Sequence, residues 1–210
     1  MIILTMEQRS PEWFQARLGR PTASNAAKIL TSQGKISGQW LGYLYDLVAE
    51  RAGYAPEPFE PTEAMLEGIR REEESRNAYA FLTDSEPVEV GMIVCTLTGA
   101  SASPDGLVGY PDGPMHGLEL KNPKASTFFK EKITGKVPTQ YIPQLHMSMA
   151  VSGLERWDYG CYLPGQDLLI HEVLANDYTE TMRQAVADFC GELDKVCDKL
   201  DIPKLEELTI

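Results

Sequence analysis

Apolar positions recur along this chain with two periods, and those periods divide it into elements. Trp13, Phe14 and Leu18 share one helical face, after a start signal in Ser10-Pro11-Glu12: a serine N-cap, proline in the first turn, an acid beside it. Thr22-Ala23-Ser24 opens a second, short helix that ends near Leu30. Trp40, Leu41, Leu44, Leu47 and Val48 repeat at helical spacing up to Arg51 and read as core. Residues 53–61 form a Pro-rich connector, and Thr62 caps a helix with Met65, Leu66 and Ile69 as its apolar stripe. The polar run 70–76 follows, with acids of the kind that usually face solvent.

From Pro87 the pattern alternates, then turns wholly apolar to Val94, as in a strand entering a central sheet. Residues 97–103 lead to the turn Ser103-Pro104-Asp105-Gly106, where proline presets φ and glycine suits the fourth place. Gly117-Leu118-Glu119-Leu120-Lys121 has period two, which puts Leu118 and Leu120 on a buried face and Glu119 and Lys121 together on the other. Tyr110-Pro111-Asp112-Gly113 is a second turn signal, so the two segments read as a hairpin that carries Asp105 towards Glu119. Asn122-Pro123 ends the strand. Residues 125–133 are helical, Gly135 and Pro138 interrupt, and 139–151 form the next helix, with Tyr141, Gln144 and Ser148 on one face. Strands over 156–163 and 167–174 turn back at Pro164-Gly165. Asp177 caps a final helix to about Leu200, with Met182, Ala185, Val186, Phe189, Leu193 and Val196 inward. The tail 201–210 mixes acids with apolar residues, as an interface or a frayed end would.

These elements compose one α/β domain over residues 1–210. Its helical N-terminal part reaches about residue 85, a central mixed sheet flanked by helices covers about 86–175, and the C-terminal helix covers about 177–200. No apolar run is long enough to span a bilayer, and MIILTMEQRSPEW lacks the basic start and apolar stretch of a secretion signal. A soluble, cytoplasmic protein is the expectation. The four cysteines, at 95, 161, 190 and 197, include no Cys-x-x-Cys pair and read as reduced, buried thiols. His146 lies two residues past Gln144, and a structural role suits it best.

Charge complicates any nucleic-acid reading, because the net value is −12 and phosphate contacts come from Lys and Arg. The distribution is uneven. Residues 1–40 carry five basic and two acidic side chains, and 117–136 carry Lys121, Lys124, Lys130, Lys132 and Lys136 against Glu119 and Glu131. An acidic exterior with a locally basic cleft is expected.

Asp105 on a turn, with Glu119 and Lys121 on the adjoining strand, is the minimal kit for metal-dependent phosphodiester cleavage. Hard cations held by carboxylates neutralise the phosphate, and a lysine beside them orients or deprotonates water or binds a phosphate oxygen. Oxygen ligands of this kind favour Mg²⁺, with Mn²⁺ able to substitute. A surface hairpin with ordinary charges is the alternative, since so loose a pattern recurs by chance.

The neighbours add a resemblance. Ser-Pro-Asp-Gly-Leu (103–107) followed by Gly-Leu-Glu-Leu-Lys-Asn-Pro (117–123) resembles the core of the phage lambda exonuclease family, within the restriction-endonuclease-like nucleases. Trp13 with Arg17-Leu18-Gly19 and Thr22-Ala23-Ser24, Gly68 with Glu72, and Tyr141-Ile142-Pro143-Gln144 with Met147-Ser148-Met149 match further blocks in the same order, over roughly residues 10–175. The resemblance implies a restriction-endonuclease-like fold and a 5′-to-3′ exonuclease that digests one strand of linear double-stranded DNA. It implies a ring-shaped homotrimer, two ions per site and a single-strand annealing recombinase as partner, in a bacterial or phage-infected cell. It assigns metal binding to Asp105, Glu119 and the Leu120 carbonyl, with Glu72 completing or orienting a second site. Lys121 then acts on water, with Gln144 assisting. Arg17 is assigned to the DNA 5′-phosphate, with Ser24 and Ser103 as further contacts, although capping and turn formation also account for those serines. Lys35 is the cation offered where the family probes the duplex with an arginine, and Met65 falls where the family parts the strands, with core packing as the alternative. Arg20 is assigned to solvent. Two other readings stand beside this one: a DNA endonuclease on the same fold, and a non-catalytic protein binding DNA ends or a recombinase.

Overall fold

The structure is a computed structural model that describes residues 1–55, 62–113, 115–203 and 205, and of Ala64 and Met65 the backbone alone. Most of the connector 53–61 and of the tail 201–210 therefore lies outside the described residues. The chain opens with a strand, β1 (Ile2–Leu4), absent from the sequence reading because three consecutive apolar residues carry no period. Helix α1 (Pro11–Arg17) begins as expected, with Ser10 accepting from the Trp13 amide, but Phe14 is 57% exposed and not part of its buried face. A 3₁₀ helix (Ala23–Lys28) and α2 (Trp40–Arg51) follow. In α2 the core residues are Tyr43, Leu44, Leu47 and Val48, with Trp40 edge-on to Phe189, whereas Leu41 points outward. The apolar stripe and polar run become two helices, α3 (Glu63–Arg70) and α4 (Glu72–Thr83).

Two sheets follow. Strands β2 (Met92–Val94) and β3 (Ser101–Ala102) join β1 in a three-stranded antiparallel sheet of order β1-β2-β3. The expected central mixed sheet has four strands, β4 (Gly106–Val108), β5 (His116–Lys121), β6 (Arg156–Cys161) and β7 (Leu169–Leu174), in chain order. Within it β4 and β5 form the predicted antiparallel hairpin, β5 and β6 run parallel with Glu119 opposite Tyr159, and β6 and β7 are antiparallel. Helices α5 (Ala125–Thr134) and α6 (Ile142–Ser152) make the crossover that parallel pairing requires. Helix α7 (Asp177–Lys199) closes the fold, capped by Asn176 in a reciprocal box with Thr179 and not by Asp177, which is its first residue.

Both faces of the mixed sheet are covered. Trp157, Tyr159 and Cys161 enter the main core with α6 and α7, while Leu118, Leu120 and Tyr162 pack beside Tyr79 of α4. Glu119 and Lys121 thus lie on a face roofed by α6, not on an open one. On that face Gly117 leaves room for the Trp157 ring, since a Cβ there would stand 2.3 Å from it. Eight of the eleven residues of α6 are buried, and it packs on both sheets. The four cysteines are free, three of them buried. Among the described residues no helix is long and apolar enough to cross a membrane.

Candidate active site

Asp105 sits where one sheet hands over to the other, between β3 and β4. Its amide donates to the Leu118 carbonyl at 2.9 Å, and its Oδ2 accepts from the Leu120 amide at 2.6 Å. Gln8 Nε2 donates to the Pro104 carbonyl and the Val90 carbonyl, each at 2.8 Å, and Arg76 Nε donates to the Asp105 carbonyl at 2.8 Å. The turn is therefore held from three sides. A strand residue's N–H and C=O face the same edge, so the Leu120 carbonyl also faces Asp105. Pairing of β4 stops at Gly106 opposite Leu118, which leaves that carbonyl beyond the end of the ladder.

Glu119 is 4% exposed, and its Oε1 accepts from Gln144 Nε2 at 2.6 Å and from the Lys121 ammonium. That ammonium lies 5.3 Å from the centre of the Tyr141 ring. A cavity of about 460 Å³ opens here, walled by Arg9, Gly68, Glu72, Leu120, Lys121 and Tyr141 among others. Burial, and then the charge of Glu119, push the Asp105 carboxyl up to about 8, against the pull of Lys121 and the Leu120 amide. Burial works against the Lys121 charge too, but the attraction of Glu119 and Asp105 outweighs it and holds the ammonium above its usual value. The lysine here is a firmly protonated donor.

Glu72, the first residue of α4, adds charge near Asp105 but turns to Arg9, whose Nη2 donates to its two oxygens at 2.5 and 2.6 Å. Among the described residues, no three His, Cys, Asp or Glu side chains stand together closely enough to hold a metal by themselves. The donors that do meet are two acids, Asp105 and Glu119, with the Leu120 carbonyl beyond the end of the β4 ladder. That set fits a small hard cation such as Mg²⁺, which takes one or two carboxylates and fills its shell with water and phosphate oxygens.

A second group stands on the other side of Asp105. Arg17 donates from Nη1 to Ser103 Oγ and from Nη2 to Ser24 Oγ, both at 3.3 Å, and its guanidinium lies 4.2 Å from the Trp13 ring centre. Trp13 Nε1 in turn donates to Ser103 Oγ at 3.1 Å. No carboxylate of the described residues pairs with Arg17. Burial lowers its pKa, against the opposing pull of Tyr43 and Glu50. Arg20 is not at the surface: it is 6% exposed and donates to the Ala16 and Gly99 carbonyls at 3.0 and 3.2 Å. One of these, that of Gly99, is reached only through the fold, which a charge pattern cannot reveal. Lys35 lies on an exposed loop folded on Thr31, with no bond to either group. Met65 belongs to α3, and its side chain is outside the described residues. His146 is structural, buried and bonded to Thr179 Oγ1 at 2.7 Å.

The sequence reading missed several polar residues. Arg9 is one. Another is Asp158, fully buried under α4, which accepts from Tyr79 at 2.6 Å and from Arg156 twice at 2.8 Å, with His116 3.4 Å away. Burial alone would raise this carboxyl, but bonds from His116, Arg156 and Tyr79 hold it well below the usual range. A third group joins buried Glu131 to Tyr159 at 3.2 Å and His171 at 3.5 Å. The alternation Arg156-Trp157-Asp158-Tyr159 was a usable signal, because an acid between two aromatics in a two-sided strand must find partners.

The profile of the YqaJ-like viral recombinase domain matches residues 12–155. Among solved structures, the chain is similar to the alkaline exonuclease LHK-Exo of Laribacter hongkongensis. The two are 31% identical, with 91% of this chain and 96% of that chain covered and a TM-score of 0.78. The complex of LHK-Exo with dAMP matches at 29% identity over the same shares, again with a TM-score of 0.78. A phage-related exonuclease from Haemophilus somnus 129PT, at 10% identity and a TM-score of 0.56, covers 86% of this chain and 96% of its own and shares the fold. No curated protein matches.

Proposed function

From the premise that the chain belongs to the YqaJ-like viral recombinase domain family, we propose that it is a Mg²⁺-dependent exonuclease. It digests one strand of linear double-stranded DNA from the 5′ end and leaves a 3′ single strand for recombination by annealing. The observation that carries this reading is the meeting of Asp105, Glu119, Lys121 and Gln144, from a turn, a strand and a helix, beside an open cavity. The likeness to an alkaline exonuclease along 96% of that enzyme's length supports it.

Asp105, Glu119 and the Leu120 carbonyl would hold the cation, with Glu72 serving a second one. Mn²⁺ could replace Mg²⁺ at such oxygens. When bound, the ions supply charge neutralisation at the phosphate and a more acidic water. Lys121, protonated between two carboxylates, orients that water or donates to a phosphate oxygen. Gln144 is a neutral donor that fixes the Glu119 carboxylate without competing for a cation. Arg17, Ser24 and Ser103 form the seat for a terminal 5′-phosphate, because their donors converge and no described carboxylate makes an ion pair with the guanidinium. The homotrimer and the annealing recombinase extend the proposal on the resemblance alone, and sedimentation as a monomer at working concentration would remove the ring.

The test is digestion of linear duplex bearing a labelled 5′-phosphate, with Mg²⁺ or EDTA, beside Asp105→Ala and a closed circular duplex. Release of 5′ label that needs Mg²⁺ and Asp105 and spares the circle is expected. Cutting of the circle would make the protein an endonuclease. Binding without digestion under any metal would make it a DNA-end-binding protein.

A further inference from the structure

Arg9 is the cation of this cavity that the chemistry above leaves unused. Its φ is +68°, in the left-handed region that side chains other than glycine rarely adopt. The backbone is pinned on both sides. Gln8 is tied to the Pro104 and Val90 carbonyls, and Ser10 caps α1 by accepting from the Trp13 amide. The conformation is thus imposed by the frame that holds Asp105, and it carries the guanidinium into the cavity wall with Lys121 and Tyr141. Both bonds to Glu72 come from Nη2. Nε and Nη1 make no bond to a described residue, and the side chain is 38% exposed. A guanidinium is a planar fork suited to two oxygens at once, and half of this fork is open to the cavity.

We propose that Arg9 is a phosphate-binding residue: held at rest on Glu72, it presents its free edge to an internal phosphodiester of a DNA strand lying in the cavity, apart from the terminal phosphate at Arg17. This inference rests on the nuclease reading. Glu72 then has two tasks, compensating Arg9 in the empty site and releasing it when a phosphate arrives.

Arg9→Gly removes the guanidinium and suits the left-handed backbone, so the fold should persist. Arg9→Lys keeps the charge without the fork. Binding of labelled linear duplex with a 5′-phosphate is followed by anisotropy in EDTA over a salt series. For Arg9→Gly, affinity should fall about tenfold and the slope of log K against log salt should shrink by about 0.9, the value for one phosphate contact. Arg9→Lys should keep the slope and recover part of the affinity. Glu72→Gln should tighten binding severalfold with Arg9 present and leave it unchanged in the Arg9→Gly background. Unchanged affinity and slope in Arg9→Gly would overturn the inference. So would wild-type binding by the Arg9→Gly, Glu72→Gln double variant, which would reduce Arg9 to a counter-ion. A wild type that binds and digests duplex while Arg9→Gly is indistinguishable removes this inference alone. A wild type that does not bind duplex removes the nuclease reading as well.

Discussion

Replacing Asp105 by Asn should stabilise the metal-free protein at alkaline pH. The folded carboxyl titrates near 8, against 3.8 in an ordinary setting, first because it is buried and then because Glu119 stands close. Between those two values the folded state keeps a proton that the unfolded chain has released. Stability from this group is therefore complete below about pH 4 and is lost as pH rises through 8. At ~1.4 kcal/mol per pH unit, the displacement sets an upper limit near 6 kcal/mol. Asp105 keeps some solvent access and can share its charge with Lys121, so about 2–3 kcal/mol is the working figure. Asn is isosteric, and its oxygen can still accept from the Leu120 amide. In a chain of 210 residues that difference raises Tm by roughly 5–10 °C. Thermal melts of both proteins in EDTA measure it: the gap should be widest at pH 9 and close to within about 0.5 kcal/mol at pH 4. Addition of Mg²⁺ should then stabilise the wild type and leave Asp105→Asn unmoved. A variant no more stable than the wild type at pH 9, or a gap that ignores pH, would refute the account of a carboxylate crowded in the absence of a cation.

Three further outcomes are expected. Asp158→Ala strips the shared partner from Tyr79 and Arg156 and should cost about 3 kcal/mol in urea unfolding at pH 7, a deficit that shrinks as pH falls below about 4, because the unfolded wild-type chain then takes up a proton that the folded carboxylate, held low, does not. Gly117→Ala drives a methyl into Trp157 and should lower stability by about 1–3 kcal/mol, read by the same unfolding assay, with a shifted tryptophan emission. Arg17→Ala should abolish the preference for 5′-phosphorylated over 5′-hydroxyl ends, roughly a tenfold to hundredfold effect in initial rate, while a 5′-hydroxyl substrate is cut at nearly the wild-type rate.

The mixed α/β architecture and the local elements that carry the candidate site were legible in the chain; the burial of individual side chains was less so. The turn at Asp105 and the strand from Gly117 to Lys121 are local: proline, glycine and a period of two dictate them, and the structure pairs them as the pattern suggests. Gln144 was placed by the helical period of α6, which aims it at Glu119. Amphipathic patterning failed where burial depends on distant neighbours. Phe14 and Leu41 fit their stripes and are exposed, because no element covers that side of α1 or α2 among the described residues. The segment from Pro87 was read as one strand and yields strand only at Met92–Val94, with Val88 bridging to Leu107 of the other sheet.

By itself, the sequence determined the elements whose residues satisfy one another within a few positions: the Ser10 cap, the Asp105 turn, the face of α7, and the identities of the acids and the lysine. Tertiary structure alone decided what becomes of the charges. Arg20 is buried because the Gly99 carbonyl reaches it across 79 residues, Asp158 is a held anion because Tyr79 and Arg156 converge on it, and Arg9 meets Glu72 only because Gln8 ties its backbone to the Asp105 turn. The physical reason is the range of the forces. Backbone preference and periodicity act within a turn or two, whereas desolvation and ion pairing depend on which groups a folded chain brings within a few ångströms, whatever their separation in sequence.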